Sequence, residues 1–440
     1  MLAYTARSRL SHRACITTES SAGTLSKAKR LIHECWSNHS ICTKFALHPL
    51  RSAPLPTRLI DCSNPSRPRI VQMGPDAKGV YVTLSYVWGG PQSHRTCRAN
   101  LASYIDGINP IGLPQTIRDA IYVTHVLGFR LLWIDSLCIV QDWPEDLQRE
   151  LGRMRYIYRH AFLTIDAAGA ASVNDGFLHD KAFLTQCGVQ LSHPRLGTQS
   201  RAWCLQETLM SCRSLVFTTS TVQFWCRTGS QNVDDVYSLD HTDLMLQDRP
   251  SLPDIVLKPT LQSRGHPIKR LDVYYAWRRM LTYYTDRILS HSADKLVACA
   301  GLAEDFGRIL GSEYLAGLWR KSLLYDLLWR VSYISPGHIN PCRPSPYRAP
   351  SWSWASVDGC VSWDQSHLSG FVTTEPLADV IECSVTLQDK KLPFGRVTDG
   401  SLFLRASLLP CEFLRPIARC CREGWTQNGQ QRKIGYGVAL

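Results

Sequence analysis

The chain has 440 residues, 44% hydrophobic and 20% charged, with a formal net charge of +12. That is the make-up of a globular protein with a sizeable core and room for two or three domains, and it excludes a disordered chain. No run approaches the roughly 18 uninterrupted apolar residues of a membrane-spanning helix, and the amino terminus lacks the apolar core of a secretory signal, so the expectation is a cytoplasmic chain without a membrane partner.

The remaining bulk features narrow the compartment and the partners. Seventeen cysteines are scattered without a regular framework, several within apolar runs, which points to reduced thiols in a reducing compartment. The basic excess is uneven: residues 1–80 hold 12 Lys and Arg against 4 Asp and Glu, whereas residues 81–210 hold 11 of each. Arg7, Arg9 and Arg13 precede the first acid, Glu19, in too short and mixed a stretch to establish a transit peptide. No helix-turn-helix, zinc-finger or RNP pattern accompanies the basic residues, so they read as a solvated leader, and nucleic acid is not the expected partner.

In chain order, Pro, Gly and Ser clusters divide the sequence into three. A basic leader, 1–78, ends in a proline-rich passage; a central unit covers 79–228; an α-rich accessory region, 229–440, opens in a polar stretch. Within the central unit, residues 80–86 are β-branched and aromatic and stop at Gly89-Gly90, which predicts a buried strand feeding a tight turn. Pro114 opens a predicted helix, 114–127, with Ile117, Ala120, Ile121 and Thr124 on one face and Gly128 at its carboxyl cap. Residues 131–134 form a short apolar strand. Asp142, Trp143 and Pro144 then start a helix, 144–159, with a stripe of Leu147, Leu151, Met154 and Tyr158. Strands at 162–166 and 214–217 bracket a helix at 204–210. Strands alternating with helices predict an α/β, mostly parallel sheet. Ligands bind beyond the carboxyl ends of such strands, where Ser85, Tyr86, Asp135 and Asp166 fall.

The motifs give the region an identity by likeness. Leu84-Ser85-Tyr86-Val87-Trp88-Gly89, the Leu-Pro-x-Thr-Ile start at 113–117, the Trp-Ile-Asp-x-Leu-Cys-Ile-x-Gln-Asp segment at 133–142, Glu150/Met154/Tyr158 and the turn at 201–207 occur in that order. This set resembles the heterokaryon-incompatibility (HET) domain of fungal proteins, and Ala202 stands where that family usually has glycine. Cys35-x3-His39-x2-Cys42 and the segment 55–61 look like what often precedes the domain, and 349–355 like what often follows it. The resemblance implies a self/non-self recognition and cell-death factor working with protein partners or by self-association.

The HET family is in turn similar to Toll/interleukin-1 receptor (TIR) domains, flavodoxin-like sheets of which some members cleave NAD. Trp203-Cys204-Leu205-Gln206-Glu207 resembles the plant-type TIR turn whose glutamate is catalytic. By that likeness Glu207 is the candidate catalytic carboxylate of an NAD glycohydrolase, with NAD as substrate and Ser85, Tyr86, Trp88, Asp135 and Trp203 as candidate pocket residues. Such a carboxylate would stabilise the oxocarbenium-like transition state of glycosidic cleavage. The alternative is structural: a helix-end glutamate paired with Arg201 or Arg213. Asp135 divides the same way between a functional acid and an acceptor for backbone amides of the following turn. Glu150 reads as half of an ion pair with Arg153.

Cys35, His39 and Cys42 are three zinc-type ligands, with His33 or His48 as a conceivable fourth, but paired Cys-x2-4-Cys spacing is missing and no metal is expected. No G-x-S-x-G elbow, P-loop, H-E-x-x-H or strand-borne G-x-G-x-x-G is present. In the accessory region, residues 270–335 read as helical, with Tyr275, Trp277, Met280, Leu281 and Tyr284 on one face and Leu323, Leu324, Leu327 and Leu328 on another. Residues 350–357 alternate Trp and Ser and read as a one-sided strand.

Overall fold

A computed structural model describes residues 18–45, 52–92, 94–178, 197–219, 221–233, 270–332, 342–363 and 378–407. Its centre is an eight-stranded sheet of Arg58–Asp61 (β1), Arg69–Gln72 (β2), Val82–Ser85 (β3), Leu131–Trp133 (β4), Leu163–Asp166 (β5), Arg213–Phe217 (β6), Val222–Cys226 (β7) and Ser230–Asn232 (β8). The order is β2-β1-β4-β3-β5-β6-β7-β8. The four central strands, β4-β3-β5-β6, are parallel, and antiparallel strands extend both edges. Every residue of β3, β5 and β6 is buried. Helices cover both faces of a parallel centre, so its strands carry unbroken apolar runs in place of alternation. The few polar side chains there satisfy one another: Thr83 Oγ1 meets Thr164 Oγ1 across β3 and β5 at 2.8 Å, and Thr164 meets Ser211 at 2.6 Å.

The mixed α/β architecture expected from the sequence is present, and its mostly parallel part is the central unit. Helices Thr18–Asn38 (α1), Ser40–Phe45 (α2), Leu101–Asp106 (α3), Gln115–Val126 (α4), Asp135–Cys138 (α5), Pro144–His160 (α6) and Ala202–Met210 (α7) surround the sheet. Helix α4 starts after Pro114, and Gly128 follows it at φ +85°, a left-handed angle that glycine adopts without strain. Helix α6 has Pro144 in its first turn, Glu145 and Asp146 there too, and Arg159 and His160 in its last, as the helix dipole favours.

Some expectations need correction. The leader is not separate from the central unit: β1 and β2 are sheet strands, because β1 pairs with β4 (Ile60 with Leu132) and buries all four of its residues. The sheet also passes residue 228, since β8 pairs with β7. The Glu150–Arg153 ion pair read from the sequence is present at 4.0 Å, and the buried Glu150 also accepts the Thr57 hydroxyl at 2.8 Å.

The accessory region contributes helices Arg270–Thr285 (α8), Ala300–Leu310 (α9) and Leu323–Asp326 (α10), short strand pairs Tyr314–Leu315 (β9) with Leu318–Trp319 (β10) and Arg330–Val331 (β11) with Val361–Ser362 (β12), and a long hairpin of Ala378–Leu387 (β13) and Val397–Ala406 (β14). Its core is aromatic: Trp277 meets Phe306 and Trp319 edge-on at 5.1 and 5.5 Å. The strand read at 350–357 is instead a turn and a 3-10 helix, Trp354–Ser356, capped by the Ser353 hydroxyl. Trp354 is fully buried with its indole N–H on Gly317 O, and Ser353 serves as a cap while Ser351 stays exposed. The region docks on α6 and α7: Asp305 takes Arg155 and Arg159 at 3.0 and 3.1 Å, and the Gly301 amide donates to Gln206 Oε1 at 3.1 Å. Among the described residues no helix is long and apolar enough to cross a membrane.

Candidate active site

Parallel strands end on one rim, and motifs spread over 122 residues of sequence, from Ser85 to Glu207, converge there. Strand β3 ends at Ser85, β5 ends at Asp166, and Asp135 follows β4 at the start of α5. Helix α7 crosses this rim with Glu207 on its inner face, and the Ser85 hydroxyl donates to Glu207 Oε2 at 2.5 Å. Beside this pair the Trp88 indole N–H donates to Asp135 Oδ2 at 2.8 Å, and the Ser136 amide donates to Asp135 Oδ1 at 2.7 Å. The Tyr86 hydroxyl donates to Ser136 Oγ at 2.8 Å, and the Cys204 thiol faces Tyr86 O at 3.7 Å. Gly89, at φ +74°, turns the chain directly after Trp88. A methyl there would sit 2.3 Å from Ser172 Cβ, so the motif needs glycine both for its angle and for its space.

Of the residues singled out from sequence, Ser85 and Glu207 form one hydrogen-bonded pair at the rim, and Tyr86, Trp88 and Asp135 form a second set through Ser136 beside it. Trp203 is half-buried against the core in the first turn of α7, and no hydrogen bond ties it to the group. Ala202, in the usual glycine position, opens α7 without a positive φ and carries no strain. Neither proposed arginine partners Glu207: Arg201 reaches Ser290 Oγ at 2.6 Å, and Arg213 lies against Cys35 Sγ at 3.2 Å. Among the described residues no cation pairs with Glu207. Asp135 serves as backbone acceptor and as indole acceptor at once.

The electrostatics follow from this company. Burial, with the neighbouring Asp135 and Asp166 carboxyls, pushes Glu207 up to about 8, against opposing hydrogen bonds from Ser85 and Tyr158. Asp135 is raised by burial too, opposed by its Tyr86, Trp88 and Ser136 contacts. A carboxyl held neutral at physiological pH can donate a proton or accept charge from an incoming cation, which is the behaviour of acid–base groups in enzymes. Glu207 is 6% exposed and Ser85 1%. The pocket of about 450 Å³ near His94 and Arg118, and that of about 240 Å³ near Thr208 and Trp225, are lined by other residues.

Sequence reasoning placed Tyr158 among packing residues and gave no role to Ser136. Tyr158 is buried with its hydroxyl on Leu84 O at 2.9 Å and a second hydrogen-bonding influence on Glu207. The available signal was its phenol: a tyrosine on an otherwise apolar stripe must find a polar partner for its hydroxyl.

Residues 81–203 match the family model described as Heterokaryon incompatibility protein (HET). No curated protein and no solved structure matches the chain. The matched stretch runs from the residue before β3 to the first turn of α7, and so contains β3, β4 and β5, the Trp88–Asp135 contact and Ser85, while Glu207 lies four residues beyond it. The chain therefore carries a heterokaryon-incompatibility (HET) domain over residues 81–203.

Proposed function

We propose that this chain acts in heterokaryon incompatibility as a self/non-self recognition and cell-death factor, and that its HET unit does so by cleaving the N-glycosidic bond of NAD. The observation that carries the chemical part is Glu207: a buried carboxyl with no cationic partner, held by Ser85 at the carboxyl ends of parallel strands. A structural glutamate in such a place is normally paired or replaced, because an uncompensated buried acid opposes folding. In the proposed step the C1′–N1 bond breaks with its electron pair leaving on the nicotinamide nitrogen, and water adds at C1′ and loses a proton. Glu207 would face the developing ribosyl cation. The positive nicotinamide ring, brought beside a carboxyl that titrates near 8 in the free protein, favours its ionised form, so substrate would create the charge that the transition state uses.

Purified protein at high concentration should release nicotinamide from NAD. Glu207→Gln keeps the shape and removes the ionisable group, so release should fall about a hundredfold or more while the protein stays folded. No release by the wild type removes the enzymatic reading, and equal release by both proteins removes Glu207 from the chemistry.

A second reading has its own observation. Glu207 and Ser85 are nearly closed to solvent, which suits a HET unit that works by self-association with protein partners and needs no substrate access. Under that reading, overexpression in a fungal host is toxic for the wild type and equally toxic for Glu207→Gln.

A further inference from the structure

On the far edge of the sheet, away from the rim, helix α1, helix α2 and strand β7 bring four metal-type ligands together. Cys35 lies in the last turns of α1; His39 follows its end with its amide on Cys35 O at 3.2 Å; and Cys42 is on α2. The fourth residue is Cys226, the last of β7, 184 positions beyond Cys42 in sequence and invisible to spacing arguments. The Sγ atoms of Cys35, Cys42 and Cys226 and a ring nitrogen of His39 all lie within 4.8 Å of one another, and His39 Nδ1 is 3.4 Å from Cys226 Sγ. A tetrahedral zinc with Zn–S of about 2.3 Å and Zn–N of about 2.0 Å separates its ligand atoms by ~3.4–3.8 Å, so a small inward movement closes the group on an ion. His33, one alternative from the sequence, is exposed on the opposite side of α1, and His48 lies outside the described residues.

A second observation points to the same ligand. Arg213 is 2% exposed, and among the described residues no carboxylate pairs with it. Its Nε donates to Cys35 Sγ at 3.2 Å, while its Nη2 has no hydrogen-bond partner among those residues. Arg213 and Cys226 are direct cross-strand partners, so the guanidinium stands beside the cluster by register. The rings of Trp36 and Phe162, 5.5 and 5.0 Å from the guanidinium carbon, and Phe162 O, 3.5 Å from Nη1, soften the charge, but neutral thiols supply no anion to balance it. Three thiolates and an imidazole on a divalent zinc carry one net negative charge, which Arg213 balances. The Thr228 hydroxyl, 3.6 Å from Cys42 Sγ, is a further outer contact of the kind that orients metal ligands. Cys226 also lines the pocket of about 240 Å³ on this edge, which gives an ion a way in.

We propose that Cys35, His39, Cys42 and Cys226 form a structural zinc site that staples the amino-terminal helices to the antiparallel edge of the sheet. Four protein ligands leave no open position, which makes the site structural and not catalytic. Soft sulfur donors in tetrahedral array select zinc over the hard, oxygen-loving cations. This departs from the sequence expectation of no metal, and the reason is Cys226, which only the tertiary fold supplies.

The full-length protein, expressed with zinc and freed of loose metal by gel filtration, should hold about one zinc per chain by elemental analysis. Exchange with cobalt should give the visible bands of a tetrahedral ion and near-ultraviolet thiolate charge transfer. His39→Cys should keep the metal and change those bands to a four-sulfur pattern, a response that mere packing would not produce. Cys226→Ser should lose the metal, and Arg213→Gln should keep it about tenfold to a hundredfold more weakly. If the serine variant fails to fold, the metal content and cobalt spectrum of the wild type still decide. Folded wild-type protein without zinc after exposure to it, iron in its place, or a mass lower by two hydrogens from a disulfide among these cysteines would each overturn the assignment.

Discussion

Asp305 and Glu207 are buried to nearly the same degree, at 3% and 6% exposure, in opposite company. Asp305 lies between the accessory region and α6, among the guanidiniums of Arg155, Arg159 and Arg308 at 3.0–3.1 Å. Glu207 lies between the accessory region and the sheet, among hydroxyls and two further acids, with no cation beside it among the described residues. Burial raises Asp305 as well, but three guanidiniums oppose it, and the paired carboxyl holds two parts of the chain in register. The other is left with a proton it would lose in water. Burial alone therefore says little about role, and the sign of the surrounding charge says more.

The contrast can be broken most forcefully at Asp305. Asp305→Ala strands buried guanidiniums and should lower unfolding free energy by ~3–5 kcal/mol, read from denaturant titration. A loss below about 1 kcal/mol would mean that the docking interface is held by apolar contacts alone.

Next in size is a pH effect at Glu207. Its folded value near 8 exceeds its ordinary 4.5, so between those pH values the folded chain keeps a proton that the unfolded chain releases. Stability contributed at this position is therefore greatest below about 4.5, falls as pH rises toward 8 and levels off above it. Glu207→Gln cannot titrate, and relative to the wild type it should gain on the order of 2 kcal/mol between pH 5 and pH 8. Parallel stability curves for the two proteins would show that Glu207 is already ionised at neutral pH.

Two smaller changes sharpen the picture of the rim. Ser85→Ala removes the hydrogen bond that holds the Glu207 value down, so the rising limb of any NAD-cleavage pH profile should move to higher pH by up to about one unit. Trp88→Phe deletes the indole donor to Asp135 while keeping an aromatic ring, and should cost about 1–2 kcal/mol in thermal unfolding.

The elements of the central unit were legible because parallel strands buried on both faces write themselves as runs such as Leu131-Leu132-Trp133, and helix starts as Trp143-Pro144. The meeting of Ser85, Asp135 and Glu207 followed from one rule about strand ends. What stayed hidden depends on long-range pairing. Nothing in Arg58-Leu59-Ile60-Asp61 says that it lies against β4, and nothing near Cys226 says that it faces Cys35. Arg58 and Asp146 form a buried ion pair whose residues each look like surface charge in the sequence. The alternation of serines with Trp352 and Trp354 suggests a strand, whereas the Ser353 hydroxyl acts locally as a helix cap, a competition that period alone does not resolve. The hairpin β13–β14 was missed because its strands mix exposed and half-buried positions along most of their length.

Helix α7 has only nine residues, and two adjacent ones are anchored in different parts of the chain. Gln206 accepts the Gly301 amide, 95 residues downstream, and Glu207 accepts the Ser85 hydroxyl, 122 residues upstream. Successive side chains on a helix point about 100° apart, so α7 is clamped at two angles around its axis and resists twisting like a torsion bar. Turning the acid toward solvent requires winding the helix against the Gly301 clamp. Gly301 itself admits no methyl group, with Gln206 Oε1 and Arg155 Cβ both 2.7 Å from where one would stand. The seating of the accessory region thus sets how stiffly the acid is held on the sheet.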